Sequence, residues 1–405
     1  MSDAADTVDK ADDSSPAVSP REMLRRVIQG DLSSLRVVFG LILIAVIFQV
    51  QESRFLSAEN LTNLMLQITT IGLISVGIVY VLLLGEIDLS VGAVSGLCGA
   101  VMVVLNVKHG WNAYLAIAAA IAVGAAIGAT QGTLFSRFVV PSFVVTLAGL
   151  LTWEGALLQV LGKTGSLNVT DPKITGLANI FYSTTVGWIM AVVVIVAYGL
   201  ILAIGFRKRV AAGLTDRNPL PLIFKFAVIS AIIIAAVAIL NSDRGVPLAV
   251  LILLGFVVVM EYVVKGTTFG RHVFAVGGNA EAARRAGIRV NGVRIAVFTI
   301  SGSMAAIGGI MAASRLFAVN QNSGGNELLL LAIAGPVIAG TSLFGGRGSV
   351  WTALLGALVI GSISNGMDLL GLSSPVKLMV TGGVLLLAVL VDAIVRLQRK
   401  ETRAA

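Results

Sequence analysis

Apolar runs of membrane-spanning length recur along the whole chain, and they limit its fold more than any motif does. They fall roughly at 35–50, 62–84, 89–107, 112–135, 141–161, 186–206, 222–240, 246–264, 295–313, 328–344, 350–370 and 376–395. A helix needs ~20 apolar residues to cross a bilayer. Within hydrocarbon every backbone polar group must be satisfied by protein, which selects helices. The pattern therefore predicts an all-α polytopic membrane protein of about 12 transmembrane or re-entrant helices. Composition agrees: charged residues make up 12% of the chain, against about 25% in soluble domains. The span 328–344 contains Gly335, Pro336 and Gly340 and reads as broken or re-entrant.

Charge gives orientation. The net charge of +8 comes from basic residues at span ends and in joints. That placement fits an anionic cytoplasmic leaflet rather than nucleic acid. Residues 1–34 begin acidic, with Asp3, Asp6, Asp9, Asp12 and Asp13, and read as a disordered cytoplasmic tail. Residues 35–405 form one transmembrane domain. Basic residues concentrate at 207–225, 265–294 and 396–403, on the tail's side of the membrane. Both termini are then cytoplasmic, in a multi-pass protein of the cell membrane.

Gly85-Glu86-Ile87-Asp88-Leu89-Ser90-Val91-Gly92 places two carboxylates inside an apolar stretch running from Ile68 to Val107. Charge at membrane depth costs ~2.5–3.5 kcal/mol or more, so Glu86, Asp88 and Ser90 are candidates for a translocation pathway. Asp88 also suits a cap for a helix beginning at Leu89. The two roles are compatible. No nucleophile, base and orienting acid cluster together, and no catalytic residue is assigned. Gly162-Lys163-Thr164 lacks the glycine that a phosphate loop requires, because Leu157 stands there. Cys98 has no partner cysteine, and His109 and His272 fall on opposite sides, so no metal site is expected.

The second informative segment is Gly270-Arg271 through Gly277-Gly278-Asn279-Ala280-Glu281-Ala282-Ala283-Arg284-Arg285-Ala286-Gly287. Asn279 is a good N-cap and Gly287 a good stop. Glu281 is spaced to pair with Arg284 or Arg285. One short charged helix outside the membrane results. It is either a solvated loop helix or a docking surface.

These segments together resemble the sugar permeases of bacterial ABC importers, of the ribose, galactose, arabinose and xylose type. Pro141-Ser142-Phe143-Val144-Val145-Thr146-Leu147-Ala148-Gly149 and Gly340-Thr341-Ser342-Leu343-Phe344-Gly345-Gly346-Arg347-Gly348-Ser349 add to the likeness, which runs from about Phe55 to Asp392. Glu86 and the extra hairpin around 207–240 resemble the D-xylose branch. Glu154, Leu329-Leu330-Leu331 and Pro336 depart from the common pattern. The resemblance implies a permease homodimer, a cytoplasmic ABC ATPase docked on the 265–294 loop, and an extracytoplasmic sugar-binding protein that delivers a monosaccharide. It implies no cofactor. Coupling would fall to Gly278, Asn279, Glu281, Arg284 and Arg285, and the pathway to Glu86, Asp88 and Ser90. A proton-coupled secondary transporter using Glu86 and Asp88 is the alternative in another class, and a non-transporting scaffold is a further one.

Overall fold

The computed structural model describes residues 32–138, 140–213, 218–384, 386, 387 and 390. The expected tail 1–34 and the basic cluster 396–403 lie almost wholly outside the described residues. The first span is helix α1 (Leu32–Gln51). Among the described residues nine further helices are long and apolar enough to cross a membrane. They are α2 (Ala58–Leu83), α3 (Val91–Val103, extended by a wider turn through Lys108), α4 (Ala113–Phe138), α5 (Ser142–Leu161, extended by a tight turn through Thr164), α7 (Thr184–Ala211), α8 (Leu220–Asn241), α9 (Leu248–Gly266), α12 (Val290–Leu316) and α14 (Trp351–Leu369). Short helices complete the chain: α6 (Pro172–Asn179), α10 (Thr268–Gly278), α11 (Ala280–Arg285) and α13 (Asn326–Ile338). Residues 374–384 are helical and overlap the start of the last expected span, 376–395.

Two antiparallel ladders were not expected from the sequence. Ser166–Asn168 pairs with Ala318–Asn320, and Phe181–Tyr182 pairs with Val246–Pro247. Each ties two interhelical segments together at the same end of the bundle.

The core forms where α2, α3, α4 and α12 meet. From Ile68 to Leu84 every residue of the chain is buried. A membrane helix with no exposed face must pack on all sides, and small residues allow that. Along α4, Gly124, Gly128 and Gly132 recur one turn apart and face α12. A Cβ at Gly128 would fall on the carbonyl oxygen of Phe298, and one at Gly132 would come within 2.9 Å of the Ile295 Cα. The abundant glycine thus serves backbone approach. The α7–α8 pair differs. Among its residues only Gly187, Ala191 and Leu240 are buried. Its exposed valines, isoleucines and leucines suit contact with lipid tails.

Pro336 lies inside α13. Proline has no N–H to give the carbonyl one turn back, here that of Ala332. The Ser75 hydroxyl of α2 donates to that carbonyl at 2.9 Å instead. A neighbouring hydroxyl is a recognised way to satisfy a backbone group freed by proline in a membrane helix. Ser75→Ala is expected to lower stability by ~1 kcal/mol, the usual scale of one hydrogen bond. Adding Pro336→Ala supplies an N–H and should recover most of that loss. Thermal unfolding of the purified protein in detergent micelles checks both, and a double variant no more stable than Ser75→Ala would contradict the compensation.

Candidate functional site

The segment between α2 and α3 turns at Gly85, which takes a left-handed φ of 75°. The helix that follows begins at Val91, not at Leu89, and the Asp88 side chain does not cap it. Instead Asp88 folds back into a local turn and accepts from the Ser90 N–H at 3.0 Å and the Ser90 hydroxyl at 2.7 Å. Its other oxygen accepts from the Ser301 hydroxyl of α12 at 3.0 Å. Ser90 in turn accepts from the Gln131 amide of α4 at 3.0 Å. Asp88 is 3% exposed and Ser90 is fully buried. A buried carboxylate is costly unless hydrogen-bonded, and here three donors converge on it. The node therefore joins three helices through one acid.

Glu86 is placed differently. It lies within 2.9 Å of the Arg294 guanidinium, at the start of α12, with both side chains partly buried. Arg294 also sits over the Phe135 ring, 5.4 Å from its centroid. Between the two acids, the Thr146 hydroxyl of α5 donates to the Ile87 carbonyl at 3.3 Å. Residues 86–90 are thus held by α4, α5 and α12 together.

The same end of the bundle carries the charged loop. The sequence reading of a single helix within 270–288 is incomplete, because α10 precedes α11. Thr267 caps α10, accepting from the Gly270 N–H at 3.2 Å. Asn279 caps α11, accepting from the Ala282 N–H at 2.9 Å. Glu281 pairs with Arg284 at 3.0 Å and with Arg285 at 3.5 Å, as the spacing indicated. Gly287 ends the helix with φ 83°. The Glu281, Arg284 and Arg285 side chains are 58%, 60% and 81% exposed. Exposed pairs of this kind contribute little to stability. They remain available to a partner.

Backbone packing connects this loop to the α2–α3 turn. The Gly346 N–H donates to the Leu83 carbonyl at 2.9 Å. Gly277, in the last turn of α10, rests on the same carbonyl, so closely that a Cβ there would collide with the Leu83 oxygen. A Cβ at Gly345 would meet the Gly277 oxygen at 2.5 Å. The turns at Gly85 and at 344–348 therefore pack against one another and against the end of α10. Glu261 of α9 pins the second turn, accepting from the Ser349 hydroxyl at 2.9 Å and the Val350 N–H at 2.7 Å.

Towards the opposite end of α2, α3 and α12 lies a cavity of about 350 Å³. Gln67, Thr70, Ser95, Gly309 and Asn320 are among its walls, whereas Glu86, Asp88 and Ser90 are not. Ser301 lies about two turns along α12 from Gly309, a separation of ~12 Å. The Asp88 node thus lies apart from the cavity but shares α3 and α12 with it.

Sequence reasoning missed Arg294 as the partner of Glu86, counting it only as a basic loop residue. It also missed Ser301, Gln131 and Glu261. The one available signal for Gln131 was a polar side chain in an apolar span.

Residues 60–389 match the family described as branched-chain amino acid transport system / permease component. The xylose transport system permease protein XylH of Escherichia coli (strain K12) is 37% identical over 347 residues, covering 84% of this chain and 86% of that protein. XylH of Haemophilus influenzae is 36% identical over 365 residues, covering 89% and 96%. The ribose import permease protein RbsC of Escherichia coli (strain K12) is 34% identical over 353 residues, covering 87% and 91%. No solved structure gives a significant match.

Proposed function

Because the chain belongs to the branched-chain amino acid transport system / permease component family, we propose that it carries a monosaccharide, D-xylose first, across the cell membrane by alternating access. It is the multi-pass permease subunit of an ABC importer. It is a transport subunit rather than an enzyme, and ATP hydrolysis belongs to a separate protein. The choice of xylose rests on relatives named for xylose at 36–37% identity, with the ribose permease at 34%. The working assembly is a permease homodimer with an ABC ATPase and an extracytoplasmic binding protein.

One observation carries the mechanism. An exposed, capped, charged helix is joined through Gly277 to the turn that leads into the buried α3. Movement of a docked ATPase is thereby passed to membrane helices through backbone contact rather than through flexible side chains. Beside α11 lies an open groove lined by Phe269, His272, Arg284, Gly287, Arg289 and Asn291. Gly278, Asn279, Glu281, Arg284 and Arg285 form the coupling surface in this reading. Glu86, Asp88 and Ser90 close the pathway at the coupling end, with the cavity open beyond them.

Reconstitution in proteoliposomes tests this. The chain alone, under a proton gradient, is expected to accumulate no sugar. With an ABC ATPase, a binding protein and ATP it accumulates D-xylose. Concentrative uptake by the chain alone would establish the proton-coupled alternative instead.

A further inference from the structure

The 350 Å³ cavity has walls that the coupling mechanism does not use. Its size is at the small end of ligand pockets, which run ~300–1,000 Å³. Gln67, Thr70 and Ile71 line it from one face of α2, Ser95, Gly96 and Gly99 from α3, and Gly309, Ala312 and Ala313 from α12. The spacing is that of a single stripe on each helix. Glycine and alanine on two of the stripes leave the space open.

Its polar groups are graded with depth. Asn320, Asn322 and Glu327 are exposed at the mouth. Gln67 and Arg315 are half-buried further in. Thr70, near the middle of α2, is 6% exposed, and its buried hydroxyl has no hydrogen-bond partner. A threonine in a helix ordinarily bonds back to the preceding turn, and Thr62 and Thr69 of the same helix do so. The unmet Thr70 hydroxyl therefore points to a ligand or water. Among the described residues neither Arg315 nor Glu327 forms an ion pair, although both line the same cavity. Glu327 thus brings acceptors to the space and Arg315, whose charge also feels Asp368, brings donors. Ile71, Leu328 and Leu331 supply apolar wall.

We propose that this cavity is a transit site for one sugar ring, in which Thr70 and Gln67 hydrogen-bond ring hydroxyls. A monosaccharide presents hydroxyls around its rim and C–H groups on its faces, matching the mixed walls. The proposal rests on the importer reading and adds a direct contribution of the permease to substrate handling. The cavity is a passage, so its contacts raise transport rate rather than hold the sugar tightly.

The test uses the full reconstituted importer with radiolabelled D-xylose and D-ribose as probes. Thr70→Val together with Gln67→Leu is expected to lower uptake about tenfold, the scale of two lost hydrogen bonds. ATP hydrolysis stimulated by the binding protein should stay near wild type. Thr70→Ser keeps the hydroxyl and should transport normally. Ala312→Phe fills the cavity without replacing any polar side chain and should also lower uptake, with the ATPase co-purifying in normal amount. Uptake within twofold of wild type in either well-folded variant, Thr70→Val/Gln67→Leu or Ala312→Phe, overturns the proposal. A wild-type importer that accumulates neither sugar removes the monosaccharide reading itself, which separates the two failures.

Discussion

Gly277→Ala is expected to abolish most ATP-driven uptake, whereas Gly278→Ala, one residue on in the coupling surface, adds only a methyl that collides with nothing and should retain far more uptake. A Cβ at Gly277 would collide with the Leu83 carbonyl oxygen and come within 3.0 Å of the Gly346 N–H. Both are backbone atoms and cannot rotate away. Overpacking of this kind costs about 1–3 kcal/mol and displaces what it strikes. Here the displaced object is the end of α10, so the charged helix α11 that follows shifts relative to α2 and α3. At Gly278 a Cβ would meet nothing within 4 Å. The measurement is uptake and ATPase co-purification for both variants, at matched membrane yield. Equal uptake by the two would deny that this glycine contact transmits the ATPase movement.

Asp88→Ala is expected to cost about 2–4 kcal/mol, because it leaves the Ser90 N–H and two buried hydroxyl groups without their acceptor. Asp88→Asn should behave differently. Its carbonyl oxygen can accept from Ser90, and its amide can donate to a reoriented Ser301 hydroxyl. If the node closes the pathway by hydrogen bonding, the asparagine variant should keep both fold and uptake. Glu86→Gln should be worse for uptake than for expression, since it leaves the partly buried Arg294 without its anion. Detergent stability and initial uptake rates for the three variants decide the matter. Normal stability with lost uptake in Asp88→Asn would mean that the negative charge itself serves transport.

Some features were legible because their causes are local. Apolar run length determined where helices cross, since hydrocarbon admits few other structures. Nine of the long helices coincide with sequence spans to within several residues. The Asn279 cap, the Glu281 pairs and the Gly287 stop are all set within one or two turns of chain, and each was found where sequence chemistry placed it. The expected break in the span 328–344 falls at Gly340 rather than at Pro336, which lies inside its helix. Helix α13 ends at Ile338, and Gly340, at φ 107°, begins a non-helical turn.

Helix α10 was missed for a physical reason. Gly270, Gly277 and Gly278 each disfavour helix by ~1 kcal/mol relative to alanine. Contact overrides that preference. Gly270 rests on the Val264 backbone and Gly277 on Leu83, positions that only glycine can occupy. Local propensity pointed to a loop, and close packing made a helix.

The sequence by itself therefore determined the class of molecule, the placement of its long helices and the chemistry of its exposed charged helix. These depend on neighbours in the chain and on the solvent around it. Only the tertiary structure decided what the buried polar groups do. The Glu86–Arg294 pair, the Ser301 and Gln131 partners in the Asp88 node, the Ser75 bond that satisfies the carbonyl freed by Pro336, and the cavity beside Thr70 all join residues far apart in sequence. Those partnerships follow from which helix faces meet, and local periodicity specifies a face without naming its partner.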